Sequence, residues 1–184
     1  VFADSGLESI DLGGLTEIPE SMFEKAANLK TIDFNGIKSI GKTAFKGANS
    51  LAAELDLSTV ISIGEGAFID IPTIEKVTLS GSLTTIASGA FEGCVSLATV
   101  DVYNADTQTS TNNPVGVVTL PDSITTLGAS VFMETAIREV TIPRSVTKLH
   151  TAASTTSTSS STSSLFKACK QLEKVVLHDA LEVI

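Results

Sequence analysis

Apolar residues recur along this 184-residue chain in one spaced motif, and not as helix-length stripes or long runs. The clearest unit carries Val60, Ile63, Phe68, Ile74, Val77 and Leu79, and the next carries Leu83, Ile86, Phe91, Leu97, Val100 and Val102. Both advance by steps of three, five, six, three and two residues. Leu15, Ile18, Phe23, Leu29, Ile32 and Phe34 keep the same steps. Ile37, Ile40, Phe45, Leu51, Leu55 and Leu57 keep them with one extra residue before the last pair. Seven Phe, at 2, 23, 45, 68, 91, 132 and 166, mark the repeat, and the first four gaps of 21, 22, 23 and 23 residues fall in the range of leucine-rich repeats, about 20–29.

The two longer gaps, 41 and 34 residues, are regular units carrying insertions. Ile124 and Leu127 precede Phe132 at the usual offsets, and Ile137, Val140 and Ile142 follow it. Val146 and Leu149 precede Phe166 with about a dozen extra residues, from Thr151 to Ser164, before the Phe, and Leu172, Val175 and Leu177 follow. A polar stretch over 103–117 leads to a further strand-like pair, Val118 and Leu120. This pair reads either as a truncated coil without its own Phe turn or as a long loop that re-enters the sheet.

The pairs Ile32/Phe34, Leu55/Leu57, Val77/Leu79, Val100/Val102, Val140/Ile142 and Val175/Leu177 alternate with period two, so each predicts a short strand with one face inward. The Ala-Phe segments at Phe45, Phe68 and Phe91, with Leu or Ile six residues on, predict one or two helical turns packed over the strand. One unit cannot cover its own apolar face; stacked units can. Successive strands joined through crossovers run parallel. The predicted fold is α/β: a curved solenoid of about seven to eight coils spanning 1–184 as one domain, with a parallel concave sheet and short helical or irregular turns on the convex side.

Ile40-Gly41-Lys42-Thr43-Ala44-Phe45, Ile63-Gly64-Glu65-Gly66-Ala67-Phe68 and Phe91-Glu92-Gly93-Cys94-Val95-Ser96-Leu97 resemble the I-G-x-x-A-F-x-x-C-x-x-L core of BspA-like leucine-rich repeats. Val118-Thr119-Leu120-Pro121 through Gly128 and Val140-Thr141-Ile142-Pro143 through Val146 resemble the V-x-I-P-x-x-V-x-x-I-G segment of the same family. The resemblance covers essentially the whole chain. It implies a surface or secreted repeat protein of host-associated bacteria or parasitic protists, in a family associated with adhesion to host proteins and other cells. The Asn that many leucine-rich repeats place after the strand, to bond neighbouring backbones, is missing: Leu15, Ile37 and Val60 stand in that region.

Composition narrows the partners. Twelve Lys plus Arg against 21 Asp plus Glu give a net charge of −9, which disfavours nucleic acid and anionic membrane. No apolar run reaches the roughly 18–20 residues of a membrane span. The residues between inward strand positions point to the concave face: Asp11, Asp33, Asp56, Thr78, Asp101, Thr119, Thr141 and Val176. A column of Asp on stacked coils repels itself, raises its own carboxylate pKa values and attracts a basic patch on a partner protein. The bland alternative is a solvated sheet face. Tyr103, the sole Tyr, stands where strand meets insertion and is either an interface anchor or a half-buried packing residue.

Metal and catalytic chemistry find little support. Asp101, Asn104 and Asp106 bunch as oxygen ligands would, but lack the EF-hand spacing and read as turn chemistry. No P-loop, dinucleotide fingerprint, H-E-x-x-H or C-x-x-C occurs. His150 and His178 are the two neutral-pH bases, and the Ser154–Ser164 run beside His150 reads as a mobile spacer that cannot hold a nucleophile in place. Cys94 and Cys169, each three residues after a Phe, fall on coils too far apart for a disulfide and are expected as free inward thiols. No cofactor is expected. The sequence therefore reads as a non-catalytic adhesion or protein-binding module for a host or other cell-surface protein; the alternative is a spacer presenting other domains. Neither end carries a polar capping repeat, so the chain reads as a piece of a longer array.

Overall fold

A computed structural model describes residues 1–149 and 165–183. Along the chain its strands are β1 (Ser9–Ile10), β2 (Glu17–Ile18), β3 (Thr31–Ile32), β4 (Ser39–Ile40), β5 (Glu54–Leu57), β6 (Ser62–Ile63), β7 (Lys76–Ser80) and β8 (Thr85–Ile86). They continue as β9 (Thr99–Asn104), β10 (Thr109–Ser110), β11 (Val117–Thr119), β12 (Thr126–Leu127), β13 (Glu139–Thr141), β14 (Lys148–Leu149), β15 (Lys174–Val176) and β16 (Glu182–Val183). No helix occurs among the described residues. The predicted α/β class and helical turns are therefore corrected to a β-solenoid.

Each coil lays one strand into a long-strand sheet and one two-residue strand into a second sheet. The first runs β5-β7-β9-β11-β13-β15, all parallel, with β1 and β3 as a separate pair. The second runs β2-β4-β6-β8-β12, with β14 beside β16. Val77 lies opposite Leu55 and Val100, and Val140 opposite Val118 and Val175, so the apolar positions of the repeat stack as ladders. Between the sheets the Phe rings pile face to face. Centroids of Phe23, Phe45, Phe68 and Phe91 follow at 5.2, 5.2 and 5.4 Å with planes within 15°, and Phe34 meets Phe45 and Phe68 edge-on.

The Phe segments are not helical because their backbone alternates in handedness. Residues two before and two after the Phe sit in the left-handed region: Ser21 and Lys25 around Phe23, Thr43 and Gly47 around Phe45, Gly66 and Asp70 around Phe68. A left-handed residue every fourth position breaks the i to i−4 pattern and turns alternate N–H groups outward. Those groups bond the next coil: the N–H of Thr43, Phe45 and Gly47 donate to the carbonyls of Glu65, Ala67 and Ile69 at 2.8, 2.8 and 3.1 Å. The turn side is thus a third hydrogen-bonded wall.

Close coil stacking also explains the glycine after the isoleucine in the repeat. A Cβ on Gly64 would stand 2.7 Å from the backbone of Gly41 and Lys42, and one on Gly128 2.3 Å from Ser88 N. Ala87 fills the equivalent place in one coil, so the wall can give slightly. Gly64→Ala is expected to cost about 1–3 kcal/mol by overpacking, read as a lowered urea midpoint with unchanged m-value. An unchanged midpoint would contradict the close approach.

The polar stretch after β9 turns back on the sheet and does not travel around the core. β10 pairs antiparallel with the end of β9, Thr109 opposite Asn104 and Ser110 opposite Tyr103. The chain then reverses through Gly116, at φ +96°, and enters β11 parallel to β9. The loop re-entering the sheet, not the truncated coil, is the arrangement found. On the other two walls the neighbours meet directly: β12 pairs with β8, and Phe132 stacks on Phe91 at 6.2 Å. One strand, worth about 4.8 Å, is thus added to the long-strand face between β9 and β13.

Candidate functional site

The long-strand face is built from the residues between inward positions. Asp56, Thr78 and Asp101 lie in direct register across β5, β7 and β9, as do Thr119, Thr141 and Val176 across β11, β13 and β15. Asp11, Asp33, Asp56 and Thr141 are exposed, Thr78, Thr119 and Tyr103 half-buried, and Val176 39% exposed. Repeated Asp has a local cause. Oδ1 of Asp11, Asp33 and Asp56 accepts the N–H two residues on, from Gly13, Asn35 and Ser58, at 2.8, 2.8 and 3.0 Å. Each carboxylate closes an Asx turn that carries the chain from its strand into the corner.

Asp101 departs from the expected column: it is 0% exposed, covered by the insertion. Its Oδ1 accepts from the Asn113 N–H at 2.7 Å and the Thr111 hydroxyl at 2.9 Å. Lys76 Nζ lies 2.8 Å from its Oδ2, at ion-pair distance. Asn113 Nδ2 donates to the Val100 carbonyl and to Thr119 Oγ1, both at 2.8 Å, tying the re-entrant loop to two strands. Burial alone would push the Asp101 carboxyl up. Lys76, the Asn113 N–H and the Thr111 hydroxyl outweigh it and hold the group below the ordinary 3.8, opposite to the rise expected from Asp–Asp repulsion.

The other candidates resolve into structural parts. Asn104 Oδ1 accepts the Asp106 and Thr107 N–H groups at 2.9 and 3.3 Å, so the suggested calcium cluster is occupied by turn chemistry. No group of three or more His, Cys, Asp or Glu gathers as a metal site among the described residues. His178 Nε2 donates to the Val146 carbonyl at 3.0 Å. His150 and the run Ser154–Ser164, with the insertion 151–164, lie outside the described residues. The Tyr103 backbone carbonyl accepts from Gly81 at 2.8 Å, fixing the strand end beneath its half-buried ring.

Both cysteines are free, and each has a defined partner. Cys94 Sγ donates to the Phe68 carbonyl at 3.1 Å and Cys169 Sγ to the Phe132 carbonyl at 2.8 Å, so a thiol three residues after one Phe ties down the Phe carbonyl of the preceding coil. Burial pushes the Cys94 thiol up to about 12. Because the thiolate is the nucleophile, Cys94 is expected to resist iodoacetamide at pH 8 in the native protein and to react fully in denaturant. Mass spectrometry of the digest checks this; native labelling at the free-thiol rate would contradict the burial.

The missing ladder Asn has a substitute that the sequence reading overlooked. Thr59 Oγ1 bonds the carbonyls of Phe34 and Ile37, both at 3.0 Å, and Ser123 Oγ those of Gly81 and Leu83 at 2.9 and 2.6 Å. The signal was a hydroxyl residue immediately before the corner Val60 or Ile124.

Residues 1–113 and 38–160 match the BspA type leucine rich repeat region, in six copies. The chain belongs to the BspA-type leucine-rich-repeat family. Members of this repeat family are generally non-catalytic. Among solved structures, the T. pallidum leucine rich repeat protein is similar at 24% identity and a TM-score of 0.52, covering 91% of this chain and 72% of that one. A leucine-rich repeat protein from Bacteroides ovatus is similar at 21% identity and a TM-score of 0.51, covering 92% of this chain. This chain spans 54% of the length of the B. ovatus protein. At these identities the likeness is one of fold. No curated protein matches.

Proposed function

We propose that this BspA-type repeat chain is a non-catalytic protein-binding module of a cell-surface or secreted protein, which engages a host or other cell-surface protein through its long-strand face. The observation that carries the reading is that face itself. It is a row of parallel strands whose inward side chains, Leu55, Val77, Val100, Val118 and Val140 among them, are buried in one core and whose outward side chains, Asp56, Thr78, Thr119 and Thr141 among them, reach solvent. Such a surface offers many shallow contacts on a stiff frame, the usual working surface of solenoid repeats. The association of the family with adhesion supports the same reading. No helix of the described residues is long and apolar enough to cross a membrane.

The test is whether the isolated chain is retained on immobilised extracellular-matrix and cell-surface proteins. Retention that saturates, and that weakens in high salt as an acidic face requires, is the expected result. A spacer that only presents other domains would show no retention above a serum albumin control.

A further inference from the structure

The extra residue in the unit from Ile37 to Leu57 splits the long-strand sheet. In regular coils the entry to each strand is set by one carbonyl that takes two N–H groups: Ala53 O takes those of Glu75 and Lys76 at 2.7 and 3.0 Å, and Glu75 O those of Ala98 and Thr99 at 3.1 and 3.3 Å. Lys30 O instead takes Ala52 N–H at 2.9 Å, one residue early. β5 then pairs with β7 over four residues, while β3 pairs with β1 and not with β5. The split is stapled at both ends, by the Ala52–Lys30 bond and by Thr59 Oγ1 on the Phe34 carbonyl at 3.0 Å. Between the staples lies a cavity of about 250 Å³ open to solvent.

Its walls are chemically uneven. Half-buried Ile32 and buried Phe34 and Leu55 give an apolar base, and exposed Asp33, Glu54 and Asp56 ring the mouth. The lining holds one cation, Lys30, and Glu8 neutralises it at 2.9 Å. The Asx turns engage one oxygen each of Asp33 and Asp56 and so fix the direction of both carboxylates. No strand ladder joins β3 to β5 across the gap, and the Lys30 and Phe34 carbonyls at its two ends are taken by the staples.

We propose that this split is an anchor pocket for one arginine side chain of a basic protein partner; the inference rests on the protein-binding reading above and gives that face its point of strongest contact. The volume is below the roughly 300–1,000 Å³ of small-molecule sites and suits a single long side chain. An arginine stem packs on the apolar base while its planar fork of donors meets the carboxylates at the mouth. Arginine in a partly desolvated pocket is also a frequent dominant contact in protein interfaces. Lysine offers a point charge without the fork, and a nucleic acid or acidic peptide is repelled by the rim.

NMR titration with N-acetyl-Gly-Arg-Gly-amide tests this, with the same peptide carrying uncharged citrulline as comparison. Saturating amide shifts confined to 31–35 and 54–59 are expected, with the citrulline peptide weaker by about tenfold or more. Asp33→Asn together with Asp56→Asn is expected to weaken the arginine peptide by a similar factor. Deletion of Ala53, which restores the regular step and lets β3 pair with β5, is expected to abolish the shifts with every carboxylate retained. Equal binding of both peptides, shifts scattered over other acidic residues, or full binding after the deletion would overturn the proposal. Should the deletion variant lose its dispersed spectrum, the Asn double variant decides alone. Because retention on matrix proteins is measured separately, failure of the pocket and failure of the binding reading are told apart.

Discussion

Replacing Phe68 by Ala is expected to remove about 3–5 kcal/mol of stability, the cost of emptying a large buried aromatic site. The ring is fully buried and touches three others: Phe45 and Phe91 stacked at 5.2 and 5.4 Å, and Phe34 edge-on at 6.3 Å. Stability in a solenoid is transmitted between nearest neighbours, so a hole in the middle uncouples the coils on either side. Phe2 is the comparison. It is half-buried and has a single ring neighbour, Phe23, at 5.7 Å, so Phe2→Ala is expected to cost well under half as much. Urea unfolding of both variants reads the difference. Similar losses at the two positions would mean that the aromatic stack is not what couples the coils.

Asp101→Ala is expected to cost about 1–3 kcal/mol, because it leaves the part-buried Asn113 N–H and the Thr111 hydroxyl without their acceptor and Lys76 without its counter-charge. Asp101→Asn keeps one oxygen and loses less, since the Lys76 side chain is 32% exposed and can turn to water. The pH dependence has a definite sign. The folded carboxyl lies below its ordinary 3.8, so its contribution is complete above that value and fades as pH falls through the folded value. The stability gap between wild type and Asp101→Asn is therefore expected to be constant from pH 7 to about pH 5 and to shrink below pH 4. A gap that widens in acid would contradict the assigned charge pair.

Much of the fold was legible because the repeat is a packing rule. The steps between Leu83, Ile86, Phe91, Leu97 and Val100 named core residues that are all at most 1% exposed. The four-residue step from Leu51 to Leu55 was visible as a spacing defect, and it became the split between β3 and β5. Helical turns were inferred from Ala-Phe and its apolar offsets, which fit either conformation. The deciding signal lay at Gly47, Gly66, Gly89 and Gly93, two residues from a Phe and all at positive φ. Asp101 could not be read locally. Its strand position matches Asp56, and only the folding back of Thr111 and Asn113, ten and twelve residues on, removes it from the surface. The face itself was legible; which of its members are open to a partner depends on that non-local cover.

The central claim is that binding runs through the long-strand face. Its most direct measurement is the retention of the chain on an immobilised surface protein after charge and bulk are placed on one wall at a time. Thr78→Arg with Thr141→Arg alters the middle and far end of the long-strand face, while Thr126→Arg places the same group on the exposed side of the short-strand sheet. The face variant is expected to lose retention by about tenfold or more while Thr126→Arg and wild type bind alike, all three unfolding at similar urea concentrations. Loss of retention in Thr126→Arg with the face variant unaffected would contradict it.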